Sequence, residues 1–451
     1  MTQYLFYLVL VLLPFSTRQF LDSVIPGVHE YEALFLYASD IFILIFLLRI
    51  LFTSHHPTHT LNEPSFRKLF LPLFVFIFSA AVSTYVAPSF ALANYDFIRL
   101  GLLVMFAIAI PVVMRQKGVF TRTMVLISML ALFQAGIGIY QFSRQASAGL
   151  AVLGEPSLVS YGGSTSTIPA EGGRFIRSYG TFPHPNIYGG FLILGLLSLC
   201  YLYLLNDKKL YVWRYTKTVY ENFKLFITNR CFYLRLLITG GLFVIILGLL
   251  ISFSRGAWLA ALVALLVMGV LGIARGYWKP MLRLTFVVVA VGAVLIAVLS
   301  PIILPRAELH VGQPAVDYRL TYNEVAFNVM TANPFGVGIG NQVLYSVDSG
   351  IFKYFGLTRV WEWEPVHNLY LLVGAEIGLM GLLSFIAFLA IVIWHALKHS
   401  AELAEIAVLA LFSGVLTLGL FDHYLWTIQP GRMMLWLAIG LALSHFQTKR
   451  I

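Results

Sequence analysis

Charged side chains are scarce in this chain, 11% of 451 residues against 59% hydrophobic, far below the roughly 25% charged share of a soluble globular domain. A water-soluble fold is excluded, and so is the acidic tail or basic arm expected of a protein that engages nucleic acid. The net charge of +10 therefore calls for a topological explanation. Cysteine is nearly absent: Cys200 lies in an apolar run and Cys231 in a basic connection. Neither stands at metal-ligand spacing from a second Cys or a His, which argues against a disulfide and a zinc site. H-E-x-x-H, a Walker glycine loop and a Ser/His/Asp set within one segment are also missing. Their absence disfavours ATP-driven transport, and no residue pattern calls for a metal or a cofactor. The run from Tyr4 to Leu13 has neither a Lys/Arg leader nor a small-residue cleavage site. It reads as a first span ended by Pro14 and not as a removable signal peptide.

Long apolar runs are what the chain has instead. A helix needs about 20 mostly apolar residues to cross the hydrocarbon core. Runs of this kind fall at 4–16, 31–52, 69–86, 98–114, 123–142, 187–205, 234–252, 257–273, 282–304, 368–394, 403–421 and 433–446. They predict an all-α, polytopic membrane bundle of about 12 spans, forming a single transmembrane domain over residues 1–451 with no internal repeat. The run opening near Asn368 carries Glu376 and three small-residue steps, which marks it for a break or a tilt, while Gly374 and Gly378 are spaced for close helix contact and read as packing. With the N-terminus in the cytoplasm, most of the 30 basic residues fall in short cytoplasmic connections, as the positive-inside rule requires. The remainder are Arg apart from Lys353, and the planar guanidinium fork matches phosphate and carboxylate in two-pronged fashion. That bias fits an anionic ligand on the external side.

Two external connections, 143–186 and 305–366, are too long for simple turns and are expected to be functional. The first holds a Gly/Ser/Thr-rich stretch from Tyr161 and ends in Arg177-Ser-Tyr-Gly-Thr-Phe-Pro-His184-Pro-Asn186. In the second, Tyr318, Tyr322, Val325 and Val329 recur at the spacing of an amphipathic helix, with Asp317 as the expected N-cap and Asn333-Pro334 as the stop. Arg319 borders its apolar stripe. A loop then follows with Gly336, Gly338, Gly340 and Asn341, whose backbone N–H groups could form an anion nest; it departs from the dinucleotide fingerprint, because Asn341 replaces the third glycine and a helix precedes it. Arg255 follows Ser252-Phe-Ser in a tight external turn and opens a helix, where an anion would offset both the cation and the helix dipole. His367, beside Asn368 at the start of an apolar helix, has the side chain best suited to accept a proton near neutral pH. Against these functional readings stand bland ones: a snorkelling Arg255, a solvated Arg319 and a structural His367. Asp40 and Glu376, ionisable groups inside spans, have no partner that the sequence can name.

His367-Asn368, nine residues, and then Gly378-Leu-Met-Gly381 resemble a signature of the O-antigen ligase and polymerase superfamily. Three further landmarks come in the family's order: Arg177 to Asn186 is similar to its R-x-x-G-T-F-x-x-P-N run, the S-R-G turn falls at Arg255, and a loop helix bearing Arg319 leads to P-x-G-x-G at Pro334 to Gly340. The similarity is detailed over roughly 177–425; the earlier spans match only as hydropathy. The resemblance implies a GT-C-like, metal-independent membrane glycosyltransferase in the bacterial cytoplasmic (inner) membrane, with its active site on the periplasmic face. Its donor would be an undecaprenyl-diphosphate-linked glycan, and its acceptor a glycan, a lipid A core or a protein. By the same similarity, Arg255 and Arg319 would hold the diphosphate and His367 would act as general base. Arg177, His184, Asn186, Gly338, Gly340, Asn341 and Asn368 would line the substrates. Ligase, polymerase and protein-glycosylating members are not separated by these residues. A lipid-linked-glycan flippase would place charge along several mid-membrane faces, and a non-catalytic scaffold would tolerate changes at Arg255, Arg319 and His367.

Overall fold

Apolar runs without water to satisfy their backbone must close their hydrogen bonds internally, and helices are the local solution. The computed structural model describes residues 1–23, 30–53, 64–159, 165–170, 173–206, 230–307 and 314–444. In chain order the elements are α1 (Thr2–Leu12), β1 (Arg18–Ser23), β2 (Ala33–Tyr37), α2 (Ala38–Thr53), α3 (Pro64–Ser83), α4 (Phe90–Met114), α5 (Val119–Arg144), β3 (Thr167–Ala170), β4 (Gly173–Ile176), α6 (Pro185–Leu205) and α7 (Arg230–Ile251). They continue with α8 (Arg255–Ala274), α9 (Trp278–Ala307), α10 (Pro314–Ala332), α11 (Gln342–Asp348), α12 (Ile351–Tyr354), α13 (Leu369–Lys398), α14 (Leu403–Gly419), α15 (Tyr424–Thr427) and α16 (Gln429–Leu443).

Eight helices among the described residues are long and apolar enough to cross a membrane. They match eight of the twelve expected runs. The other four become shorter helices: α1 of 11 residues, α2 of 16, α14 of 17 and α16 of 15. Nor is the chain purely helical. Residues 33–37, expected inside the second span, pair antiparallel with β1, Arg18 lying opposite Tyr37, so α2 begins only at Ala38. A second small hairpin joins β3 and β4. The first four residues of the Gly/Ser/Thr stretch (Tyr161 to Ser164) and the basic connection at 207–229 lie outside the described residues.

Backbone contacts divide the chain into two compact units: 1–116, 309–399 and 415–451 form the first, and 117–308 with 400–414 the second. In the first, α13 packs along α3 and α16 along α4. In the second, α6 is buried along nearly its whole length, as a helix apolar on every side should be. There Gly195 brings α6 so close to α5 that a Cβ would stand 2.1 Å from the Ala131 Cβ.

The first unit holds two buried charge pairs. Arg432 bonds Asp96 at 2.6 Å, and Arg99 lies 3.5 Å from Asp40, which also accepts from the Gln429 amide at 2.6 Å. Asp40 thus has partners, contributed by α4 and α16. Arg99 and Arg432, counted with the external arginines by sequence, neutralise carboxylates inside the unit and contribute nothing to an external anion site. Glu376 is 3% exposed and accepts from Trp426 Nε1 at 2.7 Å and from the Gly340 amide at 2.8 Å. Removing one member of such a pair leaves a buried charge, typically at a cost of about 3–5 kcal/mol.

The expected break in α13 falls at Gly378, whose φ of 80° and ψ of 173° interrupt the helix. The break frees the carbonyls of Ala375 and Glu376, and the loop after α10 fills the gap. Val337 N donates to Ala375 O at 3.0 Å, Gly338 N to Glu376 O at 2.9 Å, and Leu379 N to Pro334 O at 3.0 Å. A Cβ at Gly378 would stand 2.5 Å from the Phe335 carbonyl carbon, and one at Gly336 2.3 Å from Glu376 O. Gly378→Ala should therefore undo this splice twice over, through φ and through the clash. We expect a loss of about 2–4 kcal/mol, read as an apparent Tm lowered by several degrees in detergent; an unchanged Tm would mean that the splice carries no stability.

Candidate functional site

The polar residues of the first unit gather where α10, the segment before α13 and the turn before α15 meet. Pro314 at the helix start places α10 three residues earlier than the expected N-cap, so Asp317 sits inside the first turn, where the dipole still favours an acid. The apolar stripe holds for Tyr322, Val325 and Val329, which are 3%, 0% and 0% exposed, while Tyr318 is 39% exposed. The reason is its hydroxyl, which donates to Glu362 Oε1 at 3.0 Å. Arg319 lies beside the stripe, partly buried. Among the described residues it has no hydrogen bond and no ion pair.

His367 stands just before α13. Asn368 caps that helix, its Oδ1 accepting from the amides of Tyr370 at 3.0 Å and Leu371 at 3.1 Å, so its side chain works on the helix end next to His367. Ring atom Nδ1 of His367 lies 3.0 Å from Pro365 O. A carbonyl only accepts, so Nδ1 carries hydrogen and the lone pair of the neutral ring is on Nε2. Nε2 is 3.4 Å from Glu364 Oε2, a group with a 42% exposed side chain. Tyr322 stacks on the imidazole at 5.2 Å and 12°, and its hydroxyl donates to Glu362 O at 2.8 Å. Burial first, then Glu364, pushes the Tyr322 hydroxyl well above the usual phenol range, which leaves it a donor and not a base.

The sequence reading missed His423. Its ring meets His367 edge to face at 4.9 Å and 80°, and Tyr31 closes on it at 6.0 Å. The signal available was the Asp422-His423 pair interrupting two apolar runs, but nothing local ties position 423 to 367. Burial, reinforced by repulsion from His367, pushes the His423 ring down to about 3. Glu32, buried next to Tyr31, is pushed up to about 7 by desolvation.

The glycine loop makes no nest. Its amides at Val337, Gly338, Ile339 and Gly340 are taken by Ala375 O, Glu376 O, Ser83 Oγ and Glu376 Oε2. Asn341, 0% exposed, bonds the Ser89 amide at 2.9 Å and Ile339 O at 2.9 Å. The amides of Gly338, Gly340 and Asn341 are all taken within the described residues, so these residues fasten the loop to α13 and its neighbours.

In the second unit, Arg177 is 5% exposed and spreads its guanidinium over Ser252 O at 2.7 Å, Ser166 Oγ at 3.0 Å and Asn186 Oδ1 at 2.7 Å. It buckles the segment that precedes α6 to the turn that precedes α8. Two side chains from α5 that the sequence did not single out complete the buckle: Gln141 accepts from the amides of Tyr179 and Gly180, and Gln134 from that of Thr181. His184 caps α6 through Nδ1, which accepts from the Asn186 amide at 3.2 Å, so its hydrogen is on Nε2 and its lone pair is spent. Arg255 is the first residue of α8, after the cap Ser254. The turn before it holds Phe253 at φ 50°, a left-handed conformation that costs a non-glycine residue about 1–2 kcal/mol. Phe253 is 1% exposed and wedged between Phe142 and Trp258, at ring distances of 5.9 and 6.5 Å. That packing holds the turn, and with it the start of α8.

These features define a multi-pass helical membrane protein with a histidine-centred polar cluster beside a broken helix. Residues 240–386, about a third of the chain, match the family model described as O-antigen ligase, which supports the resemblance to that superfamily; no curated protein matched the chain. The matched segment runs from within α7 into α13 and includes Arg255, Arg319, the glycine loop, His367 and Gly378.

Proposed function

We propose that the protein is a glycosyltransferase that moves a glycan from an undecaprenyl-diphosphate carrier to an acceptor hydroxyl, in the manner of an O-antigen ligase. The observation that carries the reading is the arrangement at His367: Nδ1 is held by a carbonyl, the Nε2 lone pair is left to accept a proton, and Arg319 of the same unit has no counter-ion among the described residues. In the proposed step the acceptor oxygen attacks the anomeric carbon, its proton passes to Nε2, and the bond to the diphosphate breaks with both electrons leaving on the phosphate oxygen. In-line attack inverts the anomeric centre. Glu364 beside Nε2 stabilises the imidazolium once formed, and stacked Tyr322 adds a ring face to it. Positive charge set in place where the leaving group becomes anionic lowers the barrier. Arg319 supplies it in the first unit, and the resemblance gives Arg255 the same task. A polymerase or a protein-glycosylating enzyme would run the same step with a different acceptor.

Purified protein in nanodiscs, given extracted lipid-linked glycan and candidate acceptors, should yield glycosylated acceptor and free undecaprenyl diphosphate by mass spectrometry. Release of neither with any acceptor class would overturn the reading. The proposal also needs the site on the external face of the bacterial cytoplasmic membrane, and the distribution of basic residues supports that orientation. In a background with Cys200 and Cys231 replaced, cysteine introduced at Ser164 or Ser349 should react with an impermeant thiol reagent in intact cells, and cysteine at Asn222 should not. The reverse pattern would invert the topology.

A further inference from the structure

We propose that His423 is a positioning residue for His367: its ring, set edge to face on the His367 imidazole and tied through Nδ1 to Thr427, holds the base with Nε2 toward the reacting hydroxyl. The inference rests on the general-base reading above. It lies outside the segment matched to the family model, 240–386, and comes from the contacts alone.

The contacts form a closed set. Tyr322 covers one side of His367 at 5.2 Å, and His423 meets it at 4.9 Å. With Nδ1 on Pro365 O at 3.0 Å, the His367 ring is fixed by one hydrogen bond and two ring contacts, so its tilt depends on where His423 stands. His423 is fixed in turn. The Thr427 hydroxyl donates to His423 O at 3.3 Å, leaving its oxygen to accept from His423 Nδ1–H at 2.7 Å, and Tyr31 backs the ring at 6.0 Å. Tyr31 is anchored by its hydroxyl on Trp363 O at 3.0 Å, in the strand of chain that delivers His367. The charged and titratable groups around His423 are His367, Asp422 at 4.0 Å, Arg319 and Tyr31. Held near 3, His423 stays neutral wherever the enzyme works, so it braces the base without adding a positive charge that would weaken it.

A misplacement of the base by an ångström can cost about 10²-fold in turnover. His423→Phe should therefore lower kcat for glycan transfer about 10- to 100-fold with donor KM unchanged, while His423→Gln, which can still bond Thr427, should recover part of the loss. Thr427→Val, which removes only the tether, should lower kcat to a smaller extent. Because His423 acts through His367, none of these changes should lower the residual rate further in a His367→Ala background. Equal losses in both backgrounds, or a rise in donor KM at constant kcat, would overturn the inference. So would an unaffected Thr427→Val protein. If His367→Ala itself turned over normally, the general-base reading would fall first, a result readable before any His423 variant is made. Should His423→Phe fail to fold, the Thr427→Val cycle against His367→Ala decides the matter on its own.

Discussion

His367→Ala should cut turnover by about 10² to 10⁴, the range typical of a lost general base, while affinity for the lipid-linked donor changes little, because Arg319 is untouched. Chemistry and binding should separate. In the wild type, transfer should fall as pH drops, since a protonated Nε2 cannot take the acceptor's proton. Only one imidazole of the pair should contribute to that acid limb, because His423 is pushed down to about 3; the logarithm of the rate should fall with unit slope. Steady-state transfer kinetics over pH 5 to 9, with donor binding measured separately, check all of this. If His367→Ala abolished donor binding and the residual rate kept its pH dependence, His367 would be a diphosphate ligand. Glu364, 3.4 Å away, would then be the next base to test, since the His184 lone pair is occupied by the cap of α6.

How much of this was legible in the sequence depends on whether the cause was local. Eight long helices follow from hydropathy, and a break in α13 was legible from Glu376 and the small-residue steps in an apolar run, but Gly378 itself, where the break falls, read only as a packing position. Arg255, Arg319 and His367 could be singled out because each stands at the edge of a helix in a recognisable motif. What was missed is held by partners far apart in the chain. Asp40 looked solitary because Arg99 and Gln429 lie on other helices. Hydrogen bonding across the bundle turned Arg177 into a buckle and the glycine loop into a splice, and periodicity carries no trace of either. Strand β2 was read as membrane helix because Ala33 to Tyr37 is apolar enough for both, and only pairing with β1 decides. His423 is the sharpest case: 56 positions separate it from His367, and only the packing of the turn before α15 brings the rings together.

Arg319→Lys and Arg255→Lys should each lower kcat by about 10² to 10³, the loss recorded when one preorganised donor to a developing oxyanion is removed. Lysine keeps the charge at either position, but it offers a strongly hydrated point charge in place of a planar fork, and the two-pronged hydrogen bonds to phosphate oxygens are lost. The two variants should differ in what else they change. Arg319 has no hydrogen bond or ion pair among the described residues, so its replacement leaves no group orphaned and should not disturb folding. Arg255 opens α8, whose cap is Ser254 and not the arginine itself, so the helix start should also survive. The Arg319 variant should therefore express and melt like the wild type while transfer fails, a combination that separates a catalytic cation from a structural one. Lengthening the diphosphate's reach to a lysine cannot restore the fork, so raising donor concentration should not recover kcat. Near-normal transfer by either lysine variant would return that arginine to the bland reading: a snorkelling side chain at 255, or a solvated face of α10 at 319.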